Sequence, residues 1–167
     1  MIPRFIENSV YQRLTSLHKV ILLLGARQVG KTTLLGALQA RLFQAGKTVR
    51  YLNCDLEEER QAINTTSRTL LDRLVAGKDA LFIDEIQRLE NPGLTLKILI
   101  DLYPELMILV PGSSSLELRN RTSEALTGRY IDFQLSPLSL AEALEHAGVL
   151  NDLALRKPSA DALLSDV

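Results

Sequence analysis

Apolar residues along this chain follow two rhythms, and the alternation between them predicts the fold. The run KVILLL (19–24) carries no polar residue after its lysine, as expected of a parallel strand covered on both faces. Behind it Leu34, Leu35, Leu38 and Leu42 form one helical stripe, with Gly46 as the stop. TVRYLN (48–53) reads as a second strand. Residues 57–76 read as a helix burying Ile63, Leu70, Leu71 and Leu74, although the NTTS at its middle interrupts the pattern. ALFID (80–84) is a third strand, and Asn91-Pro92 opens a helix that runs through Leu102. LMILV (106–110) is a fourth strand ended by Pro111-Gly112. A helix over 114–126, a fifth strand YIDFQL (130–135) and a short helix from Leu140 to His146 complete the series.

Strands alternating with helices in this way predict an α/β sandwich of three layers, with a parallel sheet of about five strands between helices. One domain over 1–150 is expected, followed by a loosely ordered tail over 151–167. No apolar run approaches the roughly 20 residues needed to cross a bilayer. The nearest, residues 94–110, carries Lys97, Asp101, Pro104 and Glu105. The opening MIPRFIENS lacks the layout of a signal peptide. Cys54 is the only cysteine, so no internal disulfide forms and a cytoplasmic location is the default expectation. His18 and His146 stand far apart, which argues against a protein-built zinc site. Charge is uneven: residues 1–50 hold eight basic residues and one acid, the remainder eleven and nineteen. A basic first third suits an anionic ligand, but a net charge of −1 lacks the footprint of a nucleic-acid binder.

The candidate chemistry begins at GARQVGKTT (25–33), which fits G-x-x-x-x-G-K-[ST] at every fixed position between a strand and a helix. Gly25 and Gly30 supply backbone angles and close approach that a side chain would block. The main chain through Ala26, Arg27, Gln28 and Val29 turns its N–H groups toward a phosphate, and the following helix adds its positive end. Lys31 would reach the β- and γ-phosphates, Thr32 would hold Mg²⁺, and Thr33 would face the α-phosphate. The side chains of Arg27 and Gln28 either touch the nucleotide or point outward.

A nucleotide-bound magnesium wants a carboxylate at the end of a neighbouring strand. LFIDEIQ supplies one: Asp84 is assigned to the metal shell, and Glu85 to the water that attacks the γ-phosphate. An acid beside the metal favours hydrolysis over transfer to a small substrate. After the fourth strand, Ser113 and Ser114 are both candidates to sense the γ-phosphate, or simply begin a helix. Arg129 is the first choice for an arginine acting on phosphate within its own subunit or in a neighbour, with Arg119 and Arg121 as competitors. Asp55 is a weaker candidate against a solvated acidic turn with Glu57, Glu58 and Glu59.

With GARQVGKTTLL, LFIDEIQ, PGSSS and GRY…PLS in family order, the chain resembles the AAA-type ATP-binding domain that opens many uncharacterised prokaryotic ATPases. The resemblance runs from about Arg4 to Glu145. It implies a P-loop NTPase sheet in the order 5-1-4-3-2, ATP with Mg²⁺ as the ligand, and hydrolysis assisted by the glutamate matching Glu85. It also implies that Lys31 and Thr32 bind phosphate and metal beside Asp84. Two departures stand out. Pro111 occupies the place of the usual threonine, leaving Ser113 as a substitute sensor. Relatives also continue into a region similar to winged-helix or restriction-nuclease folds, so a short protein, a truncated gene and a fragment all remain open. The expected function is ATP binding with hydrolysis. The alternative is a nucleotide-dependent switch, or a fragment, that binds ATP and hardly hydrolyses it. A homo-oligomer or an unidentified protein partner is left open.

Overall fold

A computed structural model of the chain describes residues 2–113 and 125–148. The described chain divides into two compact units, one spanning Ile6–Pro137 and the other made of residues 2–5 and 138–148.

The larger unit is a five-stranded parallel sheet of β1 (Val20–Leu24), β2 (Val49–Asn53), β3 (Ala80–Asp84), β4 (Met107–Gly112) and β5 (Tyr130–Gln134). Their order across the sheet is β2-β3-β4-β1-β5, the order that the resemblance implied. Every residue of β1 is buried, because β4 and β5 flank it and helices cover both faces. Alternation along the strands then sorts the core into two layers. Ile21, Leu23, Phe82 and Leu109 pack with Leu34, Leu38 and Leu42 of α2 (Lys31–Gln44) and with Val10 and Leu14 of α1 (Ile6–Ser16). Val20, Leu22, Leu24, Leu81 and Ile83 face Ile63 of α3 (Glu57–Ile63), Leu71 and Leu74 of α4 (Arg68–Val75), and Leu96 and Leu99 of α5 (Pro92–Leu102).

Helix ends follow local chemistry. Past α2, Gly46 takes a left-handed φ of 73°, its N–H reaches Phe43 O at 2.9 Å, and Lys47 N–H reaches Leu42 O at 2.9 Å. That paired closure is why Gly46 stops the helix. Asn91 caps α5 by accepting from Leu94 N–H at 3.1 Å, with Pro92 in the first turn.

Three expectations change, and one helix went unpredicted. α1 went unpredicted, since only Val10 and Leu14 of its eleven residues are buried. The helix expected over 57–76 is two, because Ser67 N–H bonds to Thr65 Oγ1 at 3.1 Å and Thr65 N–H to Ile63 O at 2.8 Å, local alternatives to helical bonding. Leu70 is consequently not a core residue; it is 47% exposed on α4. Pro111 and Gly112 do not end β4 but belong to it, paired with Leu23 and Leu24. The helix expected over 114–126 lies, for 114–124, outside the described residues, and 125–129 form turns.

The smaller unit centres on α6 (Leu140–His146), opened by a reciprocal cap between Ser139 and Glu142. The buried Glu142 carboxylate also accepts from Arg4 Nε at 3.1 Å and Phe5 N–H at 2.9 Å.

Candidate functional site

In a parallel sheet all strands finish at one edge, and crevices outside that edge are where α/β folds bind ligands. Here the edge gathers Gly25 after β1, Asn53 ending β2, Asp84 and Glu85 at the end of β3, and Ser113 after β4. Gly25 is glycine because its backbone crowds β5: an added Cβ would lie 2.7 Å from Leu135 O and 2.9 Å from Val29 Cγ2. Its N–H also donates to Gly112 O at 3.2 Å, which sets Ser113 directly beyond the start of the loop. The loop then turns through two left-handed residues, Gln28 (φ 65°) and Gly30 (φ 95°). Ala26, Arg27 and Gln28 are exposed, and Val29 is half-buried.

Gly30 is the N-cap of α2 and has no side chain with which to cap it, and no acid occupies the first turn. Leu34 N–H is the first to find an intrahelical partner, Gly30 O at 3.0 Å. The N–H groups of Gly30, Lys31, Thr32 and Thr33 therefore have no acceptor within the helix and mark its positive end. Thr32 and Thr33 are exposed there. Lys31 folds back over the loop, its ammonium donating to Gly25 O and to Ala26 O, each at 2.7 Å. Burial holds its pKa below the usual lysine value, and Arg27 pushes the same way, while Asp84 and Glu85 pull it upward. The lysine thus stands in the field of both acids.

Asp84 lies on the face of the sheet that α2 covers, since it follows by two residues Phe82, which packs on α2. Both of its carboxylate oxygens are engaged. Oδ1 accepts from Glu85 N–H at 2.9 Å, and Oδ2 accepts from the Tyr51 hydroxyl at 2.6 Å. Burial, and next that bond to Asp84, push the Tyr51 phenol well above its ordinary pKa. Glu85 is non-glycine in the left-handed region, φ 53°, a strained conformation of the kind that collects at functional sites. It turns the chain from β3 into a single 3₁₀ turn, Ile86–Arg88, whose Ile86 is fully buried. The Gln87 side-chain amide donates to the Glu85 carboxylate. Beside them the Asn53 N–H is bound by Glu59. Cys54 is buried, and burial first, then Glu59 and Asp84, push its thiol up to about 11, so it is an inert core residue.

Several predicted residues are not part of this cluster. The Arg129 carbonyl accepts from Val20 N–H at 2.9 Å, at the start of β1, while the loop over residues 25–30 leaves its end. Five strand residues at about 3.3 Å each separate the two ends by about 16 Å. Arg129 therefore does not reach this loop in its own subunit; its guanidinium pairs with Asp101 at 2.9 Å. Asp55 is tied to Arg88 at 2.8 Å on the exposed surface. Ser114, Arg119 and Arg121 lie outside the described residues. Tyr51 and Gln87, which touch the two acids, went unpredicted. Tyr51 precedes Asn53 by two on one strand face, but only the register of β2 on β3 connects it to Asp84.

Thr32 and Asp84 offer hard oxygen donors of the kind magnesium takes, usually with one or two carboxylates plus substrate phosphates. Among the described residues no three His, Cys, Asp or Glu converge as a metal cage, so a cation here would depend on phosphate oxygens. The residues fit that arrangement.

A parallel sheet in the order 5-1-4-3-2, with a glycine-led helix N-terminus and an acidic pair on its carboxyl edge, defines a P-loop nucleotide-binding fold. The family described as AAA domain matches residues 17–144, and the chain belongs to it. No curated protein matches the chain in sequence. Among solved structures it is similar to a DNA replication initiation factor (19% identity, TM-score 0.56, covering 92% of this chain and 51% of that one). It is also similar to an AMPPCP-bound DnaA from Aquifex aeolicus (18%, 0.55, 92% and 50%) and to RIF2 from Saccharomyces cerevisiae (13%, 0.57, 93% and 63%). The chain spans about half the length of the first two. At such identities the likeness is one of fold. No helix among the described residues is long and apolar enough to cross a membrane.

Proposed function

We propose that this domain binds ATP with Mg²⁺ at the carboxyl edge of its sheet and hydrolyses the β–γ phosphoanhydride bond. The observation that carries the proposal is the helix N-terminus led by left-handed Gly30, uncapped and free of acids, with Lys31 in the joint field of Asp84 and Glu85. The loop amides and the first turn of α2 would bind phosphate oxygens, and the Lys31 ammonium would neutralise their charge. When bound, Mg²⁺ would offset further phosphate charge, held by the Thr32 hydroxyl and by Asp84 directly or through water. Glu85 would take the proton of the attacking water. Ser113 would sense the γ-phosphate, a role the Pro111 side chain cannot take. The AMPPCP-bound neighbour supports nucleotide binding by this fold. The DNA role named for the replication factor is not carried over, because 19 basic residues balance 20 acidic ones.

Calorimetry with ATP, with and without Mg²⁺, tests the binding step. Lys31→Ala is expected to weaken it by about 10- to 150-fold, the equivalent of ~1.5–3 kcal/mol for hydrogen bonds to a charged group. Glu85→Gln is expected to keep binding and to slow phosphate release by about 10²- to 10⁴-fold. Equal hydrolysis by wild type and Glu85→Gln would refute the catalytic assignment, and wild type that binds no nucleotide at millimolar Mg²⁺ would refute the whole.

A second reading, a nucleotide-dependent switch, draws on the Gln87 amide occupying the Glu85 carboxylate and on Arg129 lying at the far end of β1. An arginine would then have to come from a neighbouring subunit or a partner. Bound ATP surviving for hours in a single-turnover experiment would favour the switch.

A further inference from the structure

We propose that Tyr51 is a positioning residue for Asp84, fixing its carboxylate for the metal shell of a bound nucleotide. The inference rests on the reading that Mg²⁺ and ATP bind at this edge. The terminal torsion of an aspartate is broad, so a half-buried carboxylate at a strand end has no single orientation of its own. Here it has one, because Oδ1 is held by Glu85 N–H at 2.9 Å and Oδ2 by the Tyr51 hydroxyl at 2.6 Å. Each oxygen keeps capacity for a further contact, so the pinned group still presents lone pairs to a cation or its waters.

The tyrosine is not explained by packing. It lies on β2, an edge strand of the sheet, and remains 39% exposed. In register it stands opposite Phe82, so its ring spans two residues of strand rise, about 6.6 Å, to bring the hydroxyl to Asp84. Phenylalanine would serve any packing role equally well; only the hydroxyl makes the contact. Partners of this kind behind a metal-binding carboxylate are worth about 10- to 100-fold in metal affinity.

Tyr51→Phe tests this by calorimetry of ATP binding in EDTA and across a Mg²⁺ series. The expected result is unchanged affinity in EDTA, an unchanged melting temperature, and a rise of about 10- to 100-fold in the Mg²⁺ concentration that gives half of the metal-dependent gain. In an Asp84→Asn background the same substitution should change nothing further, because its effect runs through that carboxylate. A Tyr51→Phe protein with wild-type Mg²⁺ dependence overturns the inference. So does one whose loss is equally large in EDTA, or undiminished beside Asp84→Asn. Wild type that binds no ATP would bring down the proposed function as well, whereas metal-tightened wild-type binding with an unaltered Tyr51→Phe removes this inference alone.

Discussion

The same substitution, glycine to alanine, should have opposite effects at two positions eleven residues apart. At Gly25 the new Cβ would sit 2.7 Å from Leu135 O and 2.9 Å from Val29 Cγ2. Val29 can turn away, but the Leu135 backbone cannot, because its own N–H is bonded to Leu24 O at 2.6 Å as β5 leaves the sheet. Relief therefore requires the β1 end or the β5 end to shift, and overpacking of this sort costs about 1–3 kcal/mol. At Gly36, inside α2, an added Cβ meets nothing within 4 Å and the backbone is helical. Alanine there should gain about 0.5–1 kcal/mol through helix propensity and lower unfolded-state entropy. Urea unfolding of the two variants, with unchanged m-values, reads both changes in one assay. For a domain of this size the melting temperatures should move by roughly 2–4 °C per kcal/mol, downward for Gly25→Ala and upward for Gly36→Ala. Gly25→Ala as stable as wild type would show that the loop does not press on β5, and the structural reason for that glycine would be wrong.

Two further outcomes follow from caps and buried charge. Asn91→Ala removes the acceptor for Leu94 N–H and should cost about 0.5–2 kcal/mol, measured by urea unfolding; a change under about 0.3 kcal/mol would mean the cap is idle. Glu142 has its carboxyl lowered from 4.5 to about 2: burial alone would raise it, but N–H bonds from Ser139 and Phe5, the Arg4 guanidinium and the Ser139 hydroxyl outweigh that. A depressed carboxyl stabilises the folded form above its unfolded pKa and loses that contribution as pH falls toward the folded one. Stability should therefore decline between about pH 4.5 and pH 2 in wild type and less steeply in Glu142→Gln, as followed by thermal melts; parallel profiles would contradict the assignment.

The strands were legible because a parallel sheet buried on both faces needs unbroken apolar runs, and VILLL and ALFI have nothing else to be. The glycine-led turn into α2 was legible because the residues that form it are adjacent in sequence. What sequence could not supply was anything set by register or by distance along a strand. Arg129 was a reasonable candidate from its neighbours Gly128 and Tyr130, yet the parallel pairing of β5 with β1 puts it at the amino edge, away from the loop. Tyr51 looked like an ordinary strand aromatic until β2 was aligned on β3. The two-residue helical signal of α1 was too sparse to register, and the polar turn at 64–67 competed with helix by bonds that periodicity does not count.

Pro111 ties these levels together. The resemblance implied a threonine at its place, and a proline in a central strand ordinarily breaks it. Here it does not, because the main chain of β4 faces its two neighbours alternately. Gly112 O accepts from Gly25 on the β1 side, while Met107 N–H donates to Asp79 O on the β3 side. Residue 111 shares the side of Met107, so the hydrogen bond it cannot make is one to β3, and the pairing with β1 continues to Gly112. The β3–β4 register closes at Phe82–Leu109, where the next rung would have needed an N–H at 111. The proline thus ends the β3–β4 pairing at Phe82–Leu109 while keeping β4 in the sheet. Ile83 and Asp84 stay paired with Leu52 and Asn53 of β2, and Cys54 N–H donates to Asp84 O at 3.0 Å, while Tyr51 and Gln87 hold the two acidic side chains. With Pro111 in β4, the strand end that carries the two acids is therefore held by β2 on one side and not by β4 on the other.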